Sequence, residues 1–165
     1  MKLAAFLMSC PERADVRAAT LRSFASTDWS DNVEVLIDQR GGPQVQHLQN
    51  IAATWRRLVE LALGRDADFY LLLEDDLEFN LHLEHNLRCW APLRLRHGKM
   101  PFFASLYNPA RAYLWRNDAE HYFVADPYQV WGSQAVVVSR ASADYFLRHW
   151  DEIDGPPDLK MPRML

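Results

Sequence analysis

Phe69-Tyr70-Leu71-Leu72-Leu73-Glu74-Asp75-Asp76 is an apolar run that stops abruptly at three consecutive carboxylates, with Leu77-Glu78-Phe79 following. A short apolar run bounded by polar residues predicts a strand buried on both faces. In open α/β sheets, ligands bind beyond the carboxyl ends of such strands. Adjacent carboxylates raise one another's pKa unless a cation or a hydrogen-bond donor is close. Hard oxygen ligands suit Mg²⁺ or Mn²⁺, especially when the metal also holds substrate phosphates. A solvated acidic turn is the competing account of any three-acid run. The position at the end of an apolar strand favours a site.

Working outward, Leu3 to Met8 predicts a strand that ends at Ser9-Cys10-Pro11-Glu12-Arg13, where Pro11 stops the ladder and suits a helix start. Ala14 to Phe24 predicts a helix with Val16, Ala19, Thr20, Leu21 and Phe24 on its inner face. After a loop at Asp28-Trp29-Ser30-Asp31-Asn32, Val33 to Ile37 predicts a second strand ending at Asp38, and Gly41-Gly42-Pro43 a turn. Val45, Leu48, Ile51, Ala52, Trp55, Leu58, Val59 and Ala62 recur at helical spacing, with Gly64 as the stop. The first ~76 residues therefore alternate strand, helix, strand, helix, strand, the pattern of a parallel sheet.

Beyond the triplet the pattern is weaker. Asn80 to Trp90 predicts a helix capped by Asn80, with Pro92 ending or bending it. Pro101 to Tyr107 predicts a strand closed by Asn108-Pro109, and His121-Tyr122-Phe123-Val124 a short one. Gln134 to Val138 is a β-branched run and a strand, and Ser139 caps a last helix that buries Ala143, Phe146, Leu147 and Trp150. Residues 151 to 165 are rich in Pro and Asp and show no core-forming pattern.

The 165 residues suffice for one domain with a core, and 49% hydrophobic against 24% charged residues describe a globular chain. A net charge of −4, with the 18 Lys and Arg spread along the chain, argues against nucleic acid or an anionic membrane as the main partner. No segment reaches the roughly 20 apolar residues of a membrane span. Cys10 and Cys89 form no disulfide framework and predict two reduced thiols, hence a cytoplasmic setting. Met1 to Cys10 superficially resembles a bacterial lipoprotein signal, but its apolar part is short and reads better as the first strand. The six histidines lack ligand spacing, and no Gly-rich phosphate loop occurs.

Several stretches together resemble the GT-A nucleotide-sugar glycosyltransferases: the first strand with Pro11-Glu12-Arg13 and Thr20-Leu21-Arg22-Ser23, the strand ending at Asp38, the Glu74-Asp75-Asp76 triplet, and Trp131-Gly132-Ser133-Gln134 leading into Ala135 to Ser139. The Glu-Asp-Asp form is similar to that of the N-acetylglucosaminyltransferases that branch N-glycans and of their bacterial relatives. The resemblance implies a Rossmann-like mixed sheet flanked by helices in a single domain. It also implies a nucleotide-sugar donor, a UDP-sugar for preference, a glycan or other hydroxyl acceptor, and Mn²⁺ or Mg²⁺ bridging the donor phosphates.

By that resemblance Asp76 ligates the metal, Asp75 has a ribose or supporting role, and Glu74 supports them or caps the following turn. Arg13 lies where the family contacts the nucleotide and can pair with phosphate, or else with its local neighbours Glu12 and Asp15. Asp38 is placed to touch base or ribose, or to serve as a turn residue. Trp131, Gly132, Ser133 and Gln134 shape the donor-sugar or acceptor pocket, with Trp131 a core plug in the competing account. The resemblance also implies an inverting mechanism whose general base lies near the start of a late helix. Asp158 is the candidate and Asp154 the second. Relatives continue past the equivalent of Leu165 with an acceptor segment and commonly a histidine, so the resemblance implies that a full acceptor segment is missing here. A nucleotide-sugar-binding domain without transferase activity is the alternative function. A phosphoryl- or nucleotidyl-transferring enzyme is a third, disfavoured by Ser9-Cys10-Pro11-Glu12-Arg13 where a phosphate loop belongs.

Overall fold

A computed structural model describes residues 1–39, 44–95, 99–106, 124–130 and 132–165. The expectations for Gly41-Gly42-Pro43, Tyr107, Asn108-Pro109, His121 to Phe123 and Trp131 lie outside these residues, as do the side chains of Val45 and Leu48. The chain forms β1 (Leu3–Ser9), α1 (Ala14–Ala25), β2 (Val33–Ile37), α2 (Gln44–Leu63), β3 (Phe69–Leu73), α3 (Leu83–Cys89) and α4 (Ala91–Arg94). It continues with β4 (Phe103–Ser105), β5 (Ala135–Ser139), α5 (Arg140–His149) and α6 (Pro157–Arg163).

The five strands form one open sheet in the order β2-β1-β3-β5-β4. β2 and β3 both run parallel to β1, as the alternating strand–helix pattern predicts, whereas β5 is antiparallel to β3 and β4 antiparallel to β5. The sheet is therefore mixed and Rossmann-like in layout, with helices on both faces. Phe6, Tyr70, Leu72, Val136 and Val138 point to one face and pack with Trp55, Leu58, Val59 and Ala62 of α2 and Phe146 of α5. Ala5, Leu7, Phe69, Leu71, Leu73, Ala135 and Val137 point to the other, against Phe24 of α1, Leu87 of α3 and Leu93 of α4. This alternation is why β3 and β5 read as unbroken apolar runs: every residue of each is buried. At about 1.5–3 kcal/mol for each fully buried large side chain, these two strands with α2 and α5 hold the centre of the fold.

Four expectations are corrected. Val16 and Ala19 are exposed, and the apolar contacts of α1 with the core come from Leu21 and Phe24. The helix expected from Asn80 begins three residues later, at Leu83; Asn80 instead takes the amide of His82 on its side-chain oxygen. Its cap comes from a distant loop, because Asp28 accepts from the backbone N–H of Glu84 (2.8 Å) and His85 (3.1 Å). The strand expected over Pro101 to Tyr107 is only Phe103–Ser105. Residues 151–165 are not a coreless tail: Pro157 starts α6, and Met161 is fully buried in the core beside α2 and α5. Proline is tolerated in a helix's first turn, where its missing N–H has no partner to lose. A short helix whose buried residues are Pro157, Lys160, Met161 and Pro162 leaves no apolar periodicity to detect.

Candidate functional site

Four chain segments converge on one edge of the sheet. β1 ends there at Ser9, β2 at Ile37 followed by Asp38, and β3 at Leu73 followed by the acidic triplet. Because β5 runs the opposite way, its beginning rather than its end lies at this edge, and Leu73 pairs with Ala135. Gly132, Ser133 and Gln134 are thereby delivered beside Glu74, whose backbone N–H donates to the Gln134 carbonyl at 2.8 Å.

The three carboxylates have different surroundings. Asp75 is buried, only 4% exposed. It accepts a hydrogen bond from the Ser9 hydroxyl and one from Arg13 Nε at 2.6 Å. The parallel register sets Leu3 against Phe69 and Leu7 against Leu73, so continuing it brings Ser9 alongside Asp75. Arg17 Nη1 donates to Ser9 Oγ and to the Cys10 carbonyl, both at 2.9 Å. Thr20 of α1 donates to the Asp75 carbonyl at 2.8 Å and accepts from Leu77 N at 3.1 Å, and Ser23 accepts from Phe79 N at 2.8 Å. α1 thus clamps the chain on leaving the triplet.

Asp76 has a side chain 49% exposed and touches Arg13 Nη2 at 3.2 Å. Arg13 therefore pairs with two acids of the triplet, in place of its local neighbours Glu12 and Asp15.

Glu74 turns the other way. Its Oε1 accepts from Ser133 Oγ at 2.7 Å, and the buried Trp55 indole nitrogen near the carboxylate closes no hydrogen bond. Burial pushes the Glu74 pKa up, the Ser133 and Trp55 donors oppose that shift, and the negative charges of Asp76 and Asp158 add to it. Gln134 carries a buried side-chain oxygen with no hydrogen-bond partner among the described residues.

Asp158, in the first turn of α6, accepts from Gly132 N at 3.3 Å. Gly132 has φ 88°, a left-handed conformation that side chains disfavour, so a glycine is required to turn the chain into β5. Asp38 is buried at the same edge, and Thr54 of α2 donates to its Oδ2. Ser133 is buried against Glu74 as described, and Trp131 lies outside the described residues. Arg13, Glu74, Asp75, Asp76, Ser133, Gly132 and Asp158 are thus linked in one connected cluster, with Asp38 on its α2 side.

Ser9, Arg17 and Trp55 belong to the site although no sequence expectation included them, whereas Gln134 lies in the stretch expected to border the pocket. Ser9 was detectable from the strand register; Arg17, one helical turn after Arg13, was the other legible signal. Trp55 reads only as a core residue, because helical spacing does not reveal where an indole N–H points.

Mg²⁺ and Mn²⁺ are often bound by one or two carboxylates, with substrate phosphates and water supplying the other ligands. The half-exposed Asp76, beside an Asp75 already held by donors, fits that mode. Among the described residues, no group of three or more His, Cys, Asp or Glu side chains is arranged to hold a metal ion without such help. Both cysteines are free, and no described helix is long and apolar enough to cross a membrane. Compared with known proteins, the chain matches no family model and no curated sequence.

Proposed function

We propose that this chain is a metal-dependent glycosyltransferase domain of the GT-A type. It moves a sugar from a nucleoside-diphosphate donor, a UDP-sugar for preference, to a hydroxyl of a glycan or small-molecule acceptor, with inversion. The observation that carries the reading is the junction at one sheet edge of Asp75 and Asp76 with Arg13, beside the Glu74–Ser133 pair and Asp158. Carboxylates for a cation, a guanidinium for phosphate and further acids for proton transfer are the groups this reaction requires.

Asp76 is the side chain offered to Mn²⁺ or Mg²⁺, which when bound neutralises charge on the departing nucleoside diphosphate. Asp75, fixed by Ser9 and Arg13, keeps Asp76 in place and faces the nucleotide. Arg13 binds diphosphate oxygens. Asp38 lines the nucleotide side, while Ser133 and Gly132 border the sugar. Asp158 is the proposed general base. It takes the acceptor hydroxyl proton as that oxygen bonds to the sugar carbon and the bond from that carbon to the diphosphate breaks. The two free thiols agree with a cytoplasmic setting.

The test is thermal melting with UDP, GDP, CDP and TDP, each with and without Mn²⁺, on wild type and Asp76→Asn. One diphosphate at ~100 times its dissociation constant is expected to add about 2.7 kcal/mol, only with metal, and Asp76→Asn to abolish the gain. No shift with any of the four overturns the donor-site reading. A shift without sugar transfer in a hydrolysis or transfer assay favours the nucleotide-sugar-binding alternative.

A further inference from the structure

We infer that Arg13 is an exchangeable counter-ion. Without a metal it neutralises Asp75 and Asp76, and when a divalent cation arrives with a diphosphate it releases Asp76 and pairs with the diphosphate. This rests on the donor-site reading above and adds an order of events to it.

The two contacts of Arg13 differ in the way such an exchange requires. The inner one, Nε to Asp75 at 2.6 Å, reaches a carboxylate that is 6% exposed. The outer one, Nη2 to Asp76 at 3.2 Å, joins two half-exposed groups, 43% and 49%. An ion pair open to water is weak and readily exchanged, whereas a buried charged hydrogen bond is not. The guanidinium therefore has an anchor and a releasable arm. Its backbone is fixed by the turn that begins at Pro11, where Arg13 N donates to the Cys10 carbonyl at 3.2 Å. Only the side chain has to move.

A dication bound to Asp76 would lie beside the positive charge of Arg13, and in this partly screened site the two repel. Metal alone is consequently disfavoured. A diphosphate removes the conflict because its oxygens accept both the cation and the planar guanidinium fork. Arg17, engaged by Ser9 and the Cys10 carbonyl, takes no part in the swap. Metal and diphosphate should then favour each other's binding reciprocally, with Arg13 as the coupling element.

The experiment measures Mn²⁺ alone by electron paramagnetic resonance. It also measures UDP, or whichever of GDP, CDP and TDP stabilises the wild type, by calorimetry at saturating Mn²⁺. In Arg13→Gln, Mn²⁺ alone is expected to bind roughly tenfold tighter and the diphosphate roughly tenfold weaker, changes of opposite sign. Arg13→Lys, which keeps the charge for folding, should hold Mn²⁺ at the wild-type affinity and weaken the diphosphate by a smaller factor. Mn²⁺ affinity that is unchanged or lower in Arg13→Gln, in a wild type that does bind diphosphate, overturns the exchange alone. Tightening in Arg13→Lys equal to that in Arg13→Gln overturns its electrostatic basis. A wild type that binds no diphosphate with Mn²⁺ overturns the donor-site reading, and the exchange with it.

Discussion

Asp75 and Glu74 are adjacent in the chain, yet they end up in opposite electrostatic surroundings. Asp75, on the β1 side, has a guanidinium, a serine hydroxyl and the α1 clamp around its backbone. Glu74, on the β5 side, meets neutral donors from Ser133 and Trp55 and the negative charges of Asp76 and Asp158. Successive residues of an extended chain point to opposite faces, so one acidic triplet supplies both a compensated carboxylate and an uncompensated one. A compensated carboxylate is suited to holding charge in a fixed place. An uncompensated one is suited to taking up or sharing a proton. The triplet is thus two sites joined at a peptide bond.

Removing the compensated carboxylate is expected to have the largest effect. Asp75→Ala removes the buried one of Arg13's two carboxylate partners and the carboxylate acceptor of the Ser9 hydroxyl, and with two charge-assisted hydrogen bonds lost should cost about 3 kcal/mol in urea unfolding. A loss below about 1 kcal/mol would mean that the pairing contributes little and that the contrast with Glu74 is not energetic. Thr20→Val is next. Thr20 is 2% exposed and bonds both the Asp75 carbonyl and Leu77 N, so its loss should cost about 2 kcal/mol.

On the other side, Ser133→Ala deletes the donor that supports the Glu74 charge. It is expected to cost about 1 kcal/mol at neutral pH and to raise the Glu74 pKa further, which carbon-detected NMR titration reads directly.

Glu74→Gln has the smallest expected effect and the opposite sign. Burial, reinforced by Asp76 and Asp158, holds the Glu74 pKa above its ordinary value near 4.5. Over the interval between the ordinary and raised values the folded state keeps a proton that the unfolded chain has released. Stability therefore falls as pH rises through that interval. The glutamine variant escapes this loss while still accepting from Ser133. Its melting temperature should match wild type near pH 4 and exceed it at pH 7. A variant less stable than wild type at pH 7 would show that Glu74, too, is compensated.

Half of this architecture is readable along the chain. Leu3 to Met8, Val33 to Ile37 and Phe69 to Leu73 announce themselves as strands, and Trp55, Leu58, Val59 and Ala62 as the buried face of α2, because each pattern repeats over short range. Ser139 caps α5 as its position before the helix suggests, accepting from Ser142 N at 3.1 Å. The candidate site was partly legible for the same reason, since an acidic triplet at a strand end is a local signal. The cap of α3 was not, as Asp28 lies more than fifty residues from the amides it holds. Nor was α6, whose place is set by one buried methionine and by the core it meets.

The sequence by itself determined the alternation of strands and helices, the two-faced burial of β3, and the placing of three carboxylates at a strand end. These follow from side-chain hydrophobicity and periodicity, which act between near neighbours. Only the tertiary structure decided that β5 runs antiparallel and brings Ser133 to Glu74. It likewise decided that the β1–β3 register brings Ser9 to Asp75, and that Arg13 chooses Asp75 and Asp76 over Glu12 and Asp15. Those outcomes depend on strand direction and register, and a one-residue slip would reverse every facing side chain. They are settled by the packing of the whole sheet, which no short window of sequence contains.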